Sequence, residues 1–209
     1  NTAAKVCLTL TTIVGLAACG SNTLKSEHVL VKSHDDLAHL YGITSIKGDV
    51  SIMVDTVTSL RQLSELTHID GDLIISHTAS LISLGGLENL VSVSGRVTIA
   101  MNESLENLSG LTSLQEVGEL WINGNPVLTN LEGLNALQSI QGDAVIWQNE
   151  SLENLEGLEQ LETVARDFKV CDNASLISLA ALRSLIAIGN SLIVVDNAEL
   201  VDLGQVGQV

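Results

Sequence analysis

The chain has 209 residues, enough for one sizeable core; 45% are hydrophobic but only 2% aromatic, so leucine, isoleucine and valine must fill that core. Twenty-five acidic residues against nine basic give a formal charge of -16, which argues against nucleic acid or an anionic lipid surface as a partner of the folded body. That charge keeps an aliphatic-rich body soluble and also attracts cationic ligands or divalent metals.

Residues 1–18 differ from the rest: Lys5 precedes an apolar, threonine-rich run from Val6 to Val14, followed by Gly15-Leu16-Ala17-Ala18. Such a segment reads as a secretory signal, too short to span a membrane. Leu16-Ala17-Ala18-Cys19 resembles a bacterial lipobox, in which the cysteine is acylated and becomes the first residue of the mature protein; the alternative is an ordinary signal with a chance cysteine. Cys19 is the candidate lipidation site, residues 19–28 a linker, and the expected location is the bacterial cell envelope, as an outer-membrane lipoprotein. Acyl chains, at about 0.8 kcal/mol per buried methylene, would be the only part of the molecule to enter the membrane. With Cys7 removed and Cys19 lipidated, Cys171 stands alone, so packing and not a disulfide must hold the body together.

From residue 29 to residue 209 the sequence repeats. Gly48-Asp49-Val50, Gly71-Asp72-Leu73, Gly95-Arg96-Val97, Gly118-Glu119-Leu120, Gly142-Asp143-Ala144, Arg166-Asp167-Phe168 and Asn190-Ser191-Leu192 recur at spacings of 23, 24, 23, 24, 24 and 24. The second and fourth residues after each mark are apolar, as in Val97/Ile99 and Leu120/Ile122, which predicts a short strand with one face buried. The seventh residue is Asp55, Thr78, Asn102, Asn125, Asn149, Asn173 and then Asn197. A buried amide repeated at one turn predicts a ladder that serves backbone groups of its own and neighbouring coils. Apolar residues then recur every third position, Leu105, Leu108, Leu111, Leu114 and Val117 in one coil, Leu152 to Val164 in another. A step of three drifts about 60° per step on an α-helix, so it predicts three-residue turns or short 3₁₀ pieces. Coils of 23–24 residues, about seven in all, stack into a mainly β, parallel β-solenoid.

Outward positions on the strands form columns. The first reads Asp49, Asp72, Arg96, Glu119, Asp143, Asp167 and Ser191, a row of carboxylates that is either solvated at the sheet margin or compensated by a cation. One row does not supply the six to eight oxygens that calcium needs around a point. Trp121 and Trp147 fall in the third and fifth columns of adjacent strands, as diagonal neighbours. With Asn123 and Lys169 beside them they are the candidate ligand-binding patch, since tryptophan is favoured at binding hot spots; the alternative is indoles covered by a loop or merely tolerated. His34 and His39 beside Asp35 and Asp36 make a weak metal spacing, and no phosphate loop, serine elbow or zinc-protease signature occurs. Neither a catalytic residue nor a metal or cofactor is expected.

The stretch from Ser33 to Ile52 resembles the opening of receptor L domains, the leucine-rich-repeat-like modules of insulin and epidermal growth factor receptors. The recurrent Gly-Asp-Leu-x-Ile with Asn-x-x-Leu and Leu-x-x-Leu steps is similar to that family over residues 29 to 209. The asparagine lies three residues before the next leucine, Asn102 to Leu105, which favours L domains over horseshoe leucine-rich repeats. The resemblance implies a right-handed solenoid and a short N-terminal capping helix near Ser33 to Leu40, with Ser33 as its N-cap. A fold does not specify a ligand. The expected function is a non-enzymatic, envelope-anchored binding or adhesion module presenting a flat sheet face to a protein or glycan partner. The alternative is a structural lipoprotein whose sheet and ends assemble with other copies; Leu200, Leu203, Val206 and Val209 continue the triplet step without a polar cap, so either the chain is a fragment or this end meets a partner.

Overall fold

The computed structural model describes residues 22–204 and 206; the expected signal segment, Cys19 and Val209 lie outside the described residues. Strand-period and triplet-period segments alternate along the described chain, and each pair of them makes one coil. The strands are β1 (Thr23–Val31), β2 (Ser45–Ile52), β3 (His68–Asp70), β4 (Leu73–Ser76), β5 (Ser92–Ala100), β6 (Glu116–Asn123), β7 (Ser139–Ile140), β8 (Ala144–Trp147), β9 (Thr163–Val164), β10 (Phe168–Cys171), β11 (Ala187–Ile188) and β12 (Leu192–Val195). Every pairing between them is parallel and joins equivalent positions of adjacent coils, so the stack is a parallel β-solenoid.

Each coil crosses the sheet in two pieces that meet at the repeat mark. In β1, β2, β5 and β6 the pieces are continuous; elsewhere they separate, as β3 and β4 do. Five of the seven marks are glycines, Gly48 to Gly142, because backbones stack closely there: a side chain at Gly71 would overlap the backbone of Gly48. Between β5 and β6 this kink absorbs the difference between coils of 23 and 24 residues. The pairing separation there is 24 before it (Ser92 with Glu116) and 23 after it (Arg96 with Glu119).

The core is one aliphatic column. Val50, Ile52, Leu73, Ile75, Val97, Ile99, Leu120, Ile122, Ala144, Ile146, Phe168 and Val170 point into it from the strands, all buried. The triplet residues close the other side, Leu105 to Val117 and Leu152 to Val164 among them. Their backbone is a chain of three-residue turns, in which the amide of Leu111 donates to Leu108 and that of Leu114 to Leu111. At a step of three, each turn brings one leucine inward, which an α-helix of this pattern could not do.

Two features of the N-terminal end differ from expectation. The linker placed over residues 19–28 gives way at Thr23 to β1, whose Val29 and Val31 are buried opposite Val50 and Ile52. The helix expected over Ser33 to Leu40 is a five-residue turn, α1 (His34–Ala38), that follows a strand rather than opening the stack. The Ser33 side chain accepts from the Asp36 amide.

Candidate functional site

The strand ends in a corner, and the corner is organised by the asparagines. The Asn125 Oδ1 accepts from the backbone amide and from the Nδ2 of Asn102, in the preceding coil. Its own Nδ2 donates to the Ile99 carbonyl and to the Asn149 Oδ1. Asn149, Asn173 and Asn197 repeat the pattern, and Thr78 joins it at the other end by donating to the Asn102 Oδ1. Asn102, Asn125, Asn149 and Asn173 are fully buried, so the bonds among them lie in a low-dielectric interior, while those to Asn197 are partly exposed.

To turn an asparagine inward directly after an outward strand residue, the backbone needs a reversal of hand. The residue before each ladder position supplies it: His77, Met101, Gln148, Asp172 and Asp196 have φ of 55 to 56°, and Gly124 has 65°. Non-glycine residues adopt this conformation at a cost of about 1–2 kcal/mol, and here the ladder holds them to it. Sequence reasoning missed this column. Its signal is a run of histidine, aspartate and glycine, residues that tolerate the left-handed region, interrupted by Met101 and Gln148.

On either side of the buried ladder, outward residues form two parallel rows with a groove of about 1110 Å³ between them. One wall is His77, Met101, Gly124, Gln148 and Asp172; the other is Ala79, Glu103, Pro126, Glu150 and Ala174, with Asp55 and Ser151 also lining the groove. Gly124 leaves it open at the middle: a Cβ there would meet only the Met101 side chain, at 3.5 Å. His77 and Ser151 stand three coils apart, about 14 Å along the stack, so they form no nucleophile and base pair.

The two tryptophans occupy neighbouring strands, with Trp121 paired to Val145 and Asn123 to Trp147. Their side chains are engaged in opposite directions. Trp121 is half-buried beneath Arg96, whose guanidinium carbon lies 4.4 Å from the ring centroid, and its Nε1 is buried with no hydrogen-bond partner. It is covered by an arginine of the preceding coil, not by a loop. Trp147 is 40% exposed and its Nε1 donates to the Asp172 Oδ2 at 2.6 Å, which ties the indole to the groove wall. Asn123 and Lys169 are half-buried, and the Lys169 ammonium is 3.3 Å from Asp167.

The carboxylate column serves the backbone. The Asp49 Oδ1 accepts from the Asp72 amide (2.9 Å), the Asp72 Oδ1 from the Arg96 amide (2.7 Å) and the Asp143 Oδ1 from the Asp167 amide (3.1 Å). Arginines answer two of the charges, Arg96 contacting Glu119 at 2.7 Å and Arg166 contacting Asp143 at 3.7 Å, and the His28 ring faces Asp49 at 3.7 Å. No group of three or more His, Cys, Asp or Glu is placed to hold a metal ion among the described residues. Burial pushes the Cys171 thiol above its ordinary pKa, and the carboxylates of Asp172 and Asp196 add to the effect, so it is a poor nucleophile.

No protein family matches the chain, and neither a curated protein nor a solved structure matches it.

Proposed function

We propose that this chain is a non-enzymatic binding module of a bacterial envelope, held there through an acylated Cys19 and presenting Trp147 with the adjoining corner groove to a protein or glycan partner. The observation that carries the reading is the bond from the Trp147 Nε1 to the Asp172 Oδ2, which joins an exposed indole to the wall of the groove. Exposed tryptophan beside a concavity is the arrangement that contributes most at recognition surfaces. The contact surface is thereby shifted from the flat sheet, where Trp121 is occupied by Arg96, to the sheet's corner. The resemblance to receptor L domains supports a display role, and the Leu16-Ala17-Ala18-Cys19 stretch supports the anchor.

Peptide and glycan arrays probed with the wild-type chain and with Trp147→Ala test the reading. The wild type gives defined ligands and the variant loses them. Signals that survive in Trp147→Ala refute it, and concentration-dependent growth of end-to-end assemblies with no array ligand would favour the structural alternative. The anchor has its own test: in a bacterial host, labelled palmitate enters the wild type and not Cys19→Ser.

A further inference from the structure

Two sets of acidic residues in this chain have different neighbours. Those of the sheet-margin column are met by the chain's own backbone amides or cations: Asp49 by His28 and the Asp72 amide, Asp72 by the Arg96 amide, Glu119 by Arg96, Asp143 by Arg166, Asp167 by Lys169. Those of the corner groove are not. Among the described residues, none of the ion pairs involves Asp55, Glu103, Glu150 or Asp172, and the groove lining contains no lysine or arginine. Four carboxylates along one concavity, with His77 but no lysine or arginine among the lining residues and only Asp172 taking an indole N–H, leave a strip of negative potential that a cationic ligand would neutralise.

The shape of the strip restricts the ligand further. From Asp55 to Ala174 the lining spans six coils, which at about 4.8 Å per strand spacing is roughly 24 Å. An extended peptide rises about 3.3 Å per residue, so seven residues fill that length. Glu103 and Glu150 lie two coils apart, about 9.6 Å, close to the reach of three extended residues. Between the carboxylates Ala79, Met101, Pro126 and Ala174 are small or apolar, His77, Gln148 and Ser151 offer neutral hydrogen-bonding groups to a peptide main chain, and Gly124 leaves room for that chain to lie close to the floor. We infer that the corner groove takes an extended, lysine- or arginine-bearing peptide segment of about seven residues, an inference that rests on the groove being the contact surface proposed above.

The probe is a capped heptapeptide of alternating lysine and alanine, titrated into the full chain. Trp147 reports it through its bond to Asp172, and Trp121→Phe removes the only other indole signal. We expect saturable quenching or a spectral shift, weakening as salt rises, and a loss of affinity of about tenfold in Glu103→Gln/Glu150→Gln. Glu132→Gln/Glu156→Gln removes the same net charge from exposed positions outside the groove, and should change affinity less than twofold. Equal losses in the two double variants would show diffuse attraction to a polyanion and overturn the inference, as would a glutamate-for-lysine peptide that binds equally well. If the lysine peptide fails while an array glycan is lost in Trp147→Ala, the peptide inference falls and the binding surface stands. If neither the peptide nor any array ligand depends on Trp147 or the groove, both fall.

Discussion

The buried amide of one corner asparagine bridges three successive coils, so its removal is felt beyond its own position. In Asn125→Ala the Asn102 amide and the Ile99 carbonyl lose their Asn125 partners in the interior. At about 1–3 kcal/mol for each unsatisfied group the loss should be about 3 kcal/mol or more, read as a fall in the urea midpoint without a change in slope. Met101 poses the opposite case. It holds a left-handed φ of 56° that its side chain disfavours, with its side chain 52% exposed. Met101→Asn keeps the turn with a residue suited to it and should add about 0.5–1 kcal/mol, again by urea melt. The asparagines were legible in the sequence because one residue type recurs at one offset. The left-handed column was not, because the backbone conformation is imposed by the ladder beside it, and Met101 and Gln148 adopt it with no preference of their own.

At the scale of the elements, a period of two and a period of three in the same coil forecast where the chain runs straight and where it turns. Both periods survive in the structure because they fix which side chains are buried, and burial decides the path. The aspartate column was visible as charge but not as function. A row of acids suggests solvent or a cation; Arg96, Arg166 and Lys169 do face it, and Asp49, Asp72 and Asp143 also accept from backbone amides at the kink, which charge alone does not reveal. Asp72 exemplifies this. Asp72→Asn retains an oxygen for the Arg96 amide and should melt within a few tenths of a kcal/mol of wild type, whereas Asp72→Ala should lose about 1 kcal/mol. Millimolar calcium should leave all three melting temperatures unchanged, since the column offers one oxygen row and not a cage.

Across the whole molecule the acid excess is a load on stability. With 25 acidic residues and nine basic in a narrow stack, like charges in successive coils repel, and the lysine and arginine pairs among the described residues relieve only the sheet margin. Raising sodium chloride to about 0.5 M should therefore increase the melting temperature by a few degrees, as screening removes repulsion faster than it weakens those exposed pairs. An unchanged or lower melting temperature would mean that the pairs outweigh the repulsion. The location of the contact surface was the least legible feature. Composition marks Trp121 and Trp147 as unusual, but only the placement of Arg96 and Asp172 separates a covered indole from an available one.

The kink that absorbs one residue of slack between Ser92–Glu116 and Arg96–Glu119 makes the molecule's length an integer quantity. A duplicated unit, such as residues 118–141 inserted after residue 141, brings its own strand, amide rung and leucine turns, and meets neighbours of the kind it left. The product should be a ruler longer by one tick of about 4.8 Å, with its groove extended by the same step. Single-residue insertions should be tolerated better at the kink than in the strands or leucine turns that flank it.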